Sequence, residues 1–303
     1  KRSNTMARIV LYPLLEEMSL VSPETVFCYV DDLSQTERNK NREALVKRAA
    51  ENMTLAYRKL TDAGFKVSFK KSRLVCSSND LSKEVAKELK RRGVPLSMAI
   101  AVTDLGIQAT TASRRDIEII KDRKHKAKEK HENLQKLASW GGKTQNMHKP
   151  SVVAAYTYGC EALGVSSASV QELRRWRAQC LHDKSGQCPA TLVALMDGVQ
   201  EDPLVKTSLL VILAWLRLWR DLPRRRPQIC EAWNLRLSKL DGKQLPLNQV
   251  SGPLGATIFT LQRLAWTLDA PNKWGVPLEN LDLLYTRLGP LKGIHDHITA
   301  ASE

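Results

Sequence analysis

The stretch "TVFCYVDDLSQ", Thr25–Gln35, sets two carboxylates, Asp31 and Asp32, next to each other at the end of an apolar run. Adjacent like charges repel, and one of the pair is pushed toward protonation unless a cation lies close. Carboxylate oxygens suit Mg²⁺, a hard ion. Phosphoryl transfer between nucleotides uses two such ions roughly 3.5–4 Å apart, one activating the attacking hydroxyl and one neutralising the triphosphate. The spacing by itself leaves two readings open: a solvated acidic turn, or a site for divalent metal.

Other groups with metal-binding chemistry are sparse. The six cysteines, Cys28, Cys76, Cys160, Cys180, Cys188 and Cys230, are scattered and form no CxxC pair, as expected of reduced intracellular thiols. Cys180, His182 and Cys188 lie near enough in sequence for zinc, but no fourth ligand follows at a closed-site spacing. "HDH" at His295–His297 reads as a solvated tail.

The elements that must position these groups follow from hydrophobic period and punctuation. Ala7–Leu20 is expected to be a helix interrupted at Pro13. Thr25–Val30 reads as a strand, Asp31-Asp32 as a tight turn, and "LSQ" as the start of a return strand. Asn41–Gly64 reads as a long helix with Leu45, Ala49, Met53, Ala56 and Leu60 on one face, closed by Gly64. In "FKVSFKKSRLVCS", Phe65, Val67 and Phe69 alternate with Lys66, Ser68 and Lys70, the period of a half-exposed strand. "SNDLSKEVAKELKRRG" is a short helix ending at Gly93. "SMAIAVTDLGIQAT" is a strand pair, or one strand bulged at Gly106. Ser113–Trp140 is a long basic helix with a thin apolar stripe of Ile117, Ile120, Ala127 and Leu134.

From Pro150 onward the pattern turns helical. Ser169 with Glu172 reads as a capping box. Three further helices are expected around Leu209–Trp219, Gln228–Leu240 and Pro253–Leu268. Trp215, Trp219, Trp233, Trp266 and Trp274 read as core packing, and "PRRRP" at Pro223–Pro227 as a linker. The apolar run Leu209–Leu216 is far short of the roughly 20 residues that cross a bilayer, so no membrane partner is expected.

With 303 residues and 43% hydrophobic content the chain has material for a sizeable core, which excludes a disordered protein. The net charge of +15 points to a polyanionic partner. The charge is uneven: residues 1–150 hold 30 Lys and Arg against 18 Asp and Glu, whereas residues 151–303 hold 17 against 14. A nucleic-acid surface is therefore expected mainly in the first half. No signal-peptide pattern opens the sequence; it starts at Lys1 and its first Met is Met6, as expected of an excerpt from a longer polypeptide.

"YVDD" at Tyr29–Asp32 resembles the YxDD signature of reverse transcriptases. "AGFKVSFKKSRLV" (Ala63–Val75) is similar to the segment after that family's active-site hairpin, and "TDLGI" (Thr103–Ile107) to its primer grip, although Asp104 stands where the family has an aromatic residue. "RRDIEIIKDRKHKA" and "MHKPSVVAAYTYGCEALGVSSASVQELRRW" resemble the thumb of the enzymes of non-long-terminal-repeat retrotransposons. Pro150, Tyr158, Gly159, Glu161 and Leu173 stand at the matching places. The likeness covers about Ala7–Leu181.

The order of the elements reads as an α+β fold, with helices packed on a small antiparallel sheet and an all-helical region after it; the resemblance makes 1–110 a partial polymerase palm and 111–188 a helical thumb-like region, and 189–303 reads as a helical C-terminal extension of unknown role. It implies that Asp31 and Asp32 are metal-side acids for a two-ion Mg²⁺ site, and that Lys71 lies by the incoming nucleotide. Tyr29, Lys66, Lys70 and Arg73 are expected against nucleic acid, Leu105 and Gly106 at the primer, and Arg123, Lys124 and Lys128 along the duplex backbone. The bland alternatives are that the lysines solvate a strand face and that the basic helix is simply a solvated one; Trp176 reads as a core anchor, with a base-stacking platform as its alternative. Implied partners are an RNA template with a DNA primer, or an RNA–DNA duplex, and a deoxynucleoside triphosphate. The implied location is nuclear. The family's third carboxylate lies on an earlier strand, yet residues 1–30 hold no aspartate, and the Gly-rich nucleotide-positioning segment is absent too. The 303-residue chain is therefore expected not to polymerise alone, because positioning is most of the catalysis in phosphoryl transfer. The rival expectation is a non-enzymatic basic protein that binds nucleic acid through its helices.

Overall fold

A computed structural model describes residues 11–13, 15–18, 26–29, 32–104, 107–110, 118–181, 197–198 and 201–275. They are mostly helical, with small β elements, an α+β class. The chain divides into two compact units, residues 1–102 with 110–112, and residues 103–109 with 113–303. No helix among the described residues is long and apolar enough to cross a membrane.

The first unit is organised on a helix, α1 (Arg42–Asp62). Asn41 starts it by accepting a hydrogen bond from the Ala44 N–H through its side chain, and Gly64 ends it at φ +83°, a conformation that favours glycine. One end of the apolar face, with Ala50 fully buried, packs against Leu81, Val85 and Leu89 of a second helix, α2 (Asn79–Arg91). Ser78 caps α2 by accepting from the Leu81 N–H at 3.3 Å. Further along α1, Ala56 and Leu60 join Leu11, Leu15 and Met18 in another cluster, which also takes in Leu33 and Phe65.

The β structure is three separate pairs among the described residues, where one small antiparallel sheet was expected. β1 (Val26–Tyr29) and β2 (Asp32–Gln35) are antiparallel. β3 (Arg73–Leu74) and β4 (Ser97–Met98) are parallel. Their direction follows from connection: α2 lies between them in sequence, and a strand–helix–strand crossover returns the chain parallel. β5 (Ala101–Asp104) pairs with β6 (Ile107–Thr110); Leu105 and Gly106 lie outside the described residues.

The expected strand over Phe65–Phe69 does not form. The segment keeps its alternation, with Phe65, Val67 and Phe69 half-buried and Lys66, Ser68 and Lys70 exposed. Its apolar side packs on α1, where the Phe69 ring lies 5.3 Å from that of Tyr57. Alternation reports a buried side and an open side; a strand also needs a ladder partner.

In the second unit α3 (Glu118–Ser139) is followed by α4 (Gln145–His148), a π-helical turn at Lys149–Val153, and α5 (Ala154–Thr157). Pro150, which has no amide hydrogen to donate, lies inside the π turn. Gly159, at φ +76°, turns the chain into α6 (Cys160–Leu163), and α7 (Ser167–Leu181) follows. The expected capping box is displaced. Ser166, not Ser169, caps α7, its Oγ accepting from the Ser169 N–H at 2.9 Å. Glu172 instead accepts from the Tyr156 hydroxyl at 2.9 Å.

Further helices among the described residues are α8 (Pro203–Asp221), α9 (Arg226–Leu240) and α10 (Gly252–Arg263). Trp215, Trp233 and Trp266 are buried in their shared core, and the Trp215 indole donates to the Pro271 carbonyl at 2.7 Å. Pro223–Arg225 is a short 3₁₀ turn between α8 and α9, and Arg226 lies 5.1 Å over the Trp219 ring.

Candidate functional site

The acidic hairpin comes first. Tyr29 stands opposite Asp32 across the β1–β2 ladder, so only Val30 and Asp31 separate the strands in sequence. Asp31 itself lies outside the described residues. Leu33 anchors the return strand in the cluster formed with Ala56 and Leu60. Beyond the strand, Glu37 accepts from the buried Asn52 side chain at 2.6 Å and pairs with Arg48 at 3.4 Å. The hairpin is thus fastened to α1 through Leu33 on its apolar side and through Glu37 on its polar side.

Phe65 enters the same cluster as Leu33, so the basic segment begins close to where the acidic hairpin is anchored. Lys66, Lys70 and Lys71 are exposed. The backbone around them is a tight turn, with the Lys71 and Ser72 N–H groups both donating to the Ser68 carbonyl at 3.0 Å. Arg73 donates to the carbonyls of Lys70, at 2.7 Å, and Ser72, at 3.1 Å. It braces the turn that presents the two lysines.

On α3, Arg123 donates to the Tyr158 carbonyl, and its guanidinium lies 4.9 Å over the Tyr158 ring. Burial lowers its pKa, partly offset by nearby Tyr158 and Glu161. Lys124 pairs with Glu172 at 2.7 Å and Lys128 with Glu132 at 3.8 Å. Lys121, Lys126 and Lys130 are exposed on the same helix. Exposed pairs such as Lys128–Glu132 contribute little and exchange readily, whereas Arg123 is committed to holding the Tyr158–Gly159 turn.

Trp176 is buried, stacked on His131 with ring centroids 5.3 Å apart, and meets Tyr156 edge-on. This is a core anchor. The stack leads to a group whose members the sequence does not place together: His131 from α3, His148 from the end of α4, and Cys180 from α7. One ligand atom from each lies within 4.8 Å of the others. His131 is 3% exposed and His148 0%. Burial lowers the pKa of His131, a shift the Gln179 hydrogen bond opposes. Burial, then the positive charge of Arg177 and the neighbouring His131, lowers His148 to about 3, against a pull from Asp197. Burial raises the Cys180 thiol. All three are neutral at pH 7.

Sequence spacing flagged Cys180, but with His182 and Cys188, which lie outside the described residues, as does His295–His297. His131 was missed, although one signal was present. It falls on the α3 stripe between Ala127 and Leu134, a polar residue at an apolar position. His148 carried no such mark.

Comparison with protein-family models, with curated proteins and with solved structures finds no match for the chain.

Proposed function

We propose that the chain is part of an RNA-directed DNA polymerase of the retrotransposon type, which carries the acidic hairpin of the palm and a helical, duplex-binding thumb. The observation that carries the reading is the pairing of Tyr29 with Asp32 across a two-residue connection, the arrangement a YxDD motif requires. It is supported by the shared anchoring of Leu33 and Phe65, which links the hairpin to the lysine-rich segment that follows it in the family. The partners are a primer–template duplex and, in the complete enzyme, a deoxynucleoside triphosphate. The cell compartment of such an enzyme is the nucleus.

Mg²⁺ fits the donor type but not the donor number. Asp31 and Asp32 supply hard oxygen ligands, yet the family's site takes three carboxylates and residues 1–30 hold no aspartate. The two acids attract a cation without fixing a pair of ions in line with a primer hydroxyl. The chain by itself therefore grips a duplex and does not extend it. Lys66, Lys70 and Lys71, and the exposed lysines of α3, contact phosphates without reading sequence.

The test is a pair of assays on the purified chain. Anisotropy of a labelled RNA-template/DNA-primer duplex is expected to report binding that weakens about 2,000-fold between about 50 and about 200 mM salt, for six phosphate contacts. Primer extension with Mg²⁺ or Mn²⁺ and nucleotides is expected to give no product. Absence of binding at the lower salt rejects the nucleic-acid reading. Template-directed extension rejects the incomplete metal site.

A further inference from the structure

We propose that His131, His148 and Cys180 form a binding site for one zinc-class divalent ion in the second unit. The site shares no residue with the acidic hairpin and does not depend on the polymerase reading.

The first argument is the state of His148. It is fully buried, and neither Nδ1 nor Nε2 has a hydrogen-bond partner. A buried polar group left unpaired costs about 1–3 kcal/mol, and such groups call for an explanation. A metal ion at one of these nitrogens supplies it.

The second argument is the orientation of His131. Its Nε2 meets Gln179 Oε1 at 2.9 Å, and the same oxygen accepts from Gln135 Nε2 at 3.3 Å. With that oxygen as acceptor, Nε2 carries the proton and the lone pair lies on Nδ1. Nδ1 faces Cys180 Sγ at 3.8 Å. A tetrahedral zinc ion with ordinary bond lengths separates a nitrogen from a sulfur ligand by about 3.6 Å, so this pair is spaced for one ion. An amide that fixes the tautomer of a ligating histidine through its other ring nitrogen is the usual companion of such a site.

The third argument is donor chemistry. Two imidazoles and a thiol select zinc-class ions and disfavour Mg²⁺, which seeks oxygen. Metal binding takes the proton from the Cys180 thiol and none from the histidines, which are already neutral. The thiolate then offsets one charge of the ion. The buried cation Arg177, whose charge reaches His148 and Cys180, is already balanced by Asp197 through contacts of 2.5 and 2.7 Å. The rings are held in place, His131 by its stack on Trp176 and His148 edge-on to His131 with centroids 5.7 Å apart. Three protein ligands leave one coordination position for water or another small ligand.

The experiment uses the full chain, stripped with a chelator and titrated with Co²⁺ as a coloured substitute for zinc. One ion per chain is expected, with a thiolate charge-transfer band, release of one proton, and displacement by Zn²⁺. Cys180→Ser is expected to remove the band. His148→Gln and His131→Gln are each expected to weaken binding at least about 100-fold, more than removal of a group that only orients a ligand does, while Cys76→Ser leaves it unchanged. A measurement on the unaltered chain stands beside these variants: zinc should protect Cys180, and not Cys76, from alkylation mapped by mass spectrometry. No band at stoichiometric Co²⁺, a band that survives Cys180→Ser or is indifferent to both histidine substitutions, or alkylation of Cys180 unaffected by zinc would each overturn the proposal.

Discussion

Arg174 of α7 donates two hydrogen bonds, of 2.7 and 2.8 Å, to the carboxylate of Asp202, the residue before α8, and the same carboxylate caps α8 by accepting from the Leu204 N–H at 2.8 Å. One aspartate thus neutralises a guanidinium and starts a helix. Both side chains are largely buried, at 12% and 6% exposure. Asp202→Ala leaves the guanidinium of Arg174 buried without its partner and uncaps α8. The expected cost is about 3–5 kcal/mol, the range for breaking a buried pair. Arg174→Met/Asp202→Leu, which removes both charges, is expected to cost less than Asp202→Ala. Urea unfolding of the three chains checks this, and a double variant weaker than the single one contradicts it.

The buried imidazoles predict loss of stability in mild acid for the metal-free chain. The folded pKa of His148, about 3, lies below its ordinary 6.5. Between those values the unfolded chain binds a proton that the native chain refuses, so stability falls as pH falls through 6.5 and the loss levels off near 3. His131 shifts in the same direction. The slope is about 1.4 kcal/mol per pH unit for each such group. Asp197 is also held below its ordinary range, mainly by Arg177 acting against burial, and its contribution is lost only at lower pH. The interval from about pH 5 to 6.5 therefore isolates the histidines. With chelator present, His148→Gln should flatten the stability–pH slope there; an unchanged slope contradicts a neutral buried His148.

The lysines of α3 divide by partner. All four of Lys121, Lys124, Lys126 and Lys130 are exposed, and Lys124 is held by Glu172 at 2.7 Å. Replacing Lys121, Lys126 and Lys130 with glutamine should lower the salt slope of duplex binding by about 0.9 for each phosphate that is no longer neutralised. Lys124→Gln should change it less. Anisotropy across a salt series measures both, and equal slopes for the triple variant and the unaltered chain place the duplex elsewhere.

Local signals carried much of the first unit. Asn41, Ser78, Gly64 and Gly93 marked helix boundaries because capping and left-handed turns depend on a few neighbouring residues. Alternation over Phe65–Phe69 reported correctly which side is buried, and failed on the strand because it contains nothing about a ladder partner. The capping box failed for a similar reason. Ser169 and Glu172 have the right spacing, but Ser166 offers the same chemistry earlier, and Glu172 finds Tyr156 across the helix pair.

The sequence by itself determined the basic charge and a hairpin at the acidic pair, since each is written in composition or in neighbours a few residues apart; it put Asp32 in the turn, whereas Asp32 opens the return strand opposite Tyr29. Tertiary structure decided that Arg123 braces a turn, that Trp176 is a core anchor, and that His131 meets Cys180 from 49 residues away. Packing brings such side chains together through the shapes of whole helices, and no spacing in a linear chain encodes that distance.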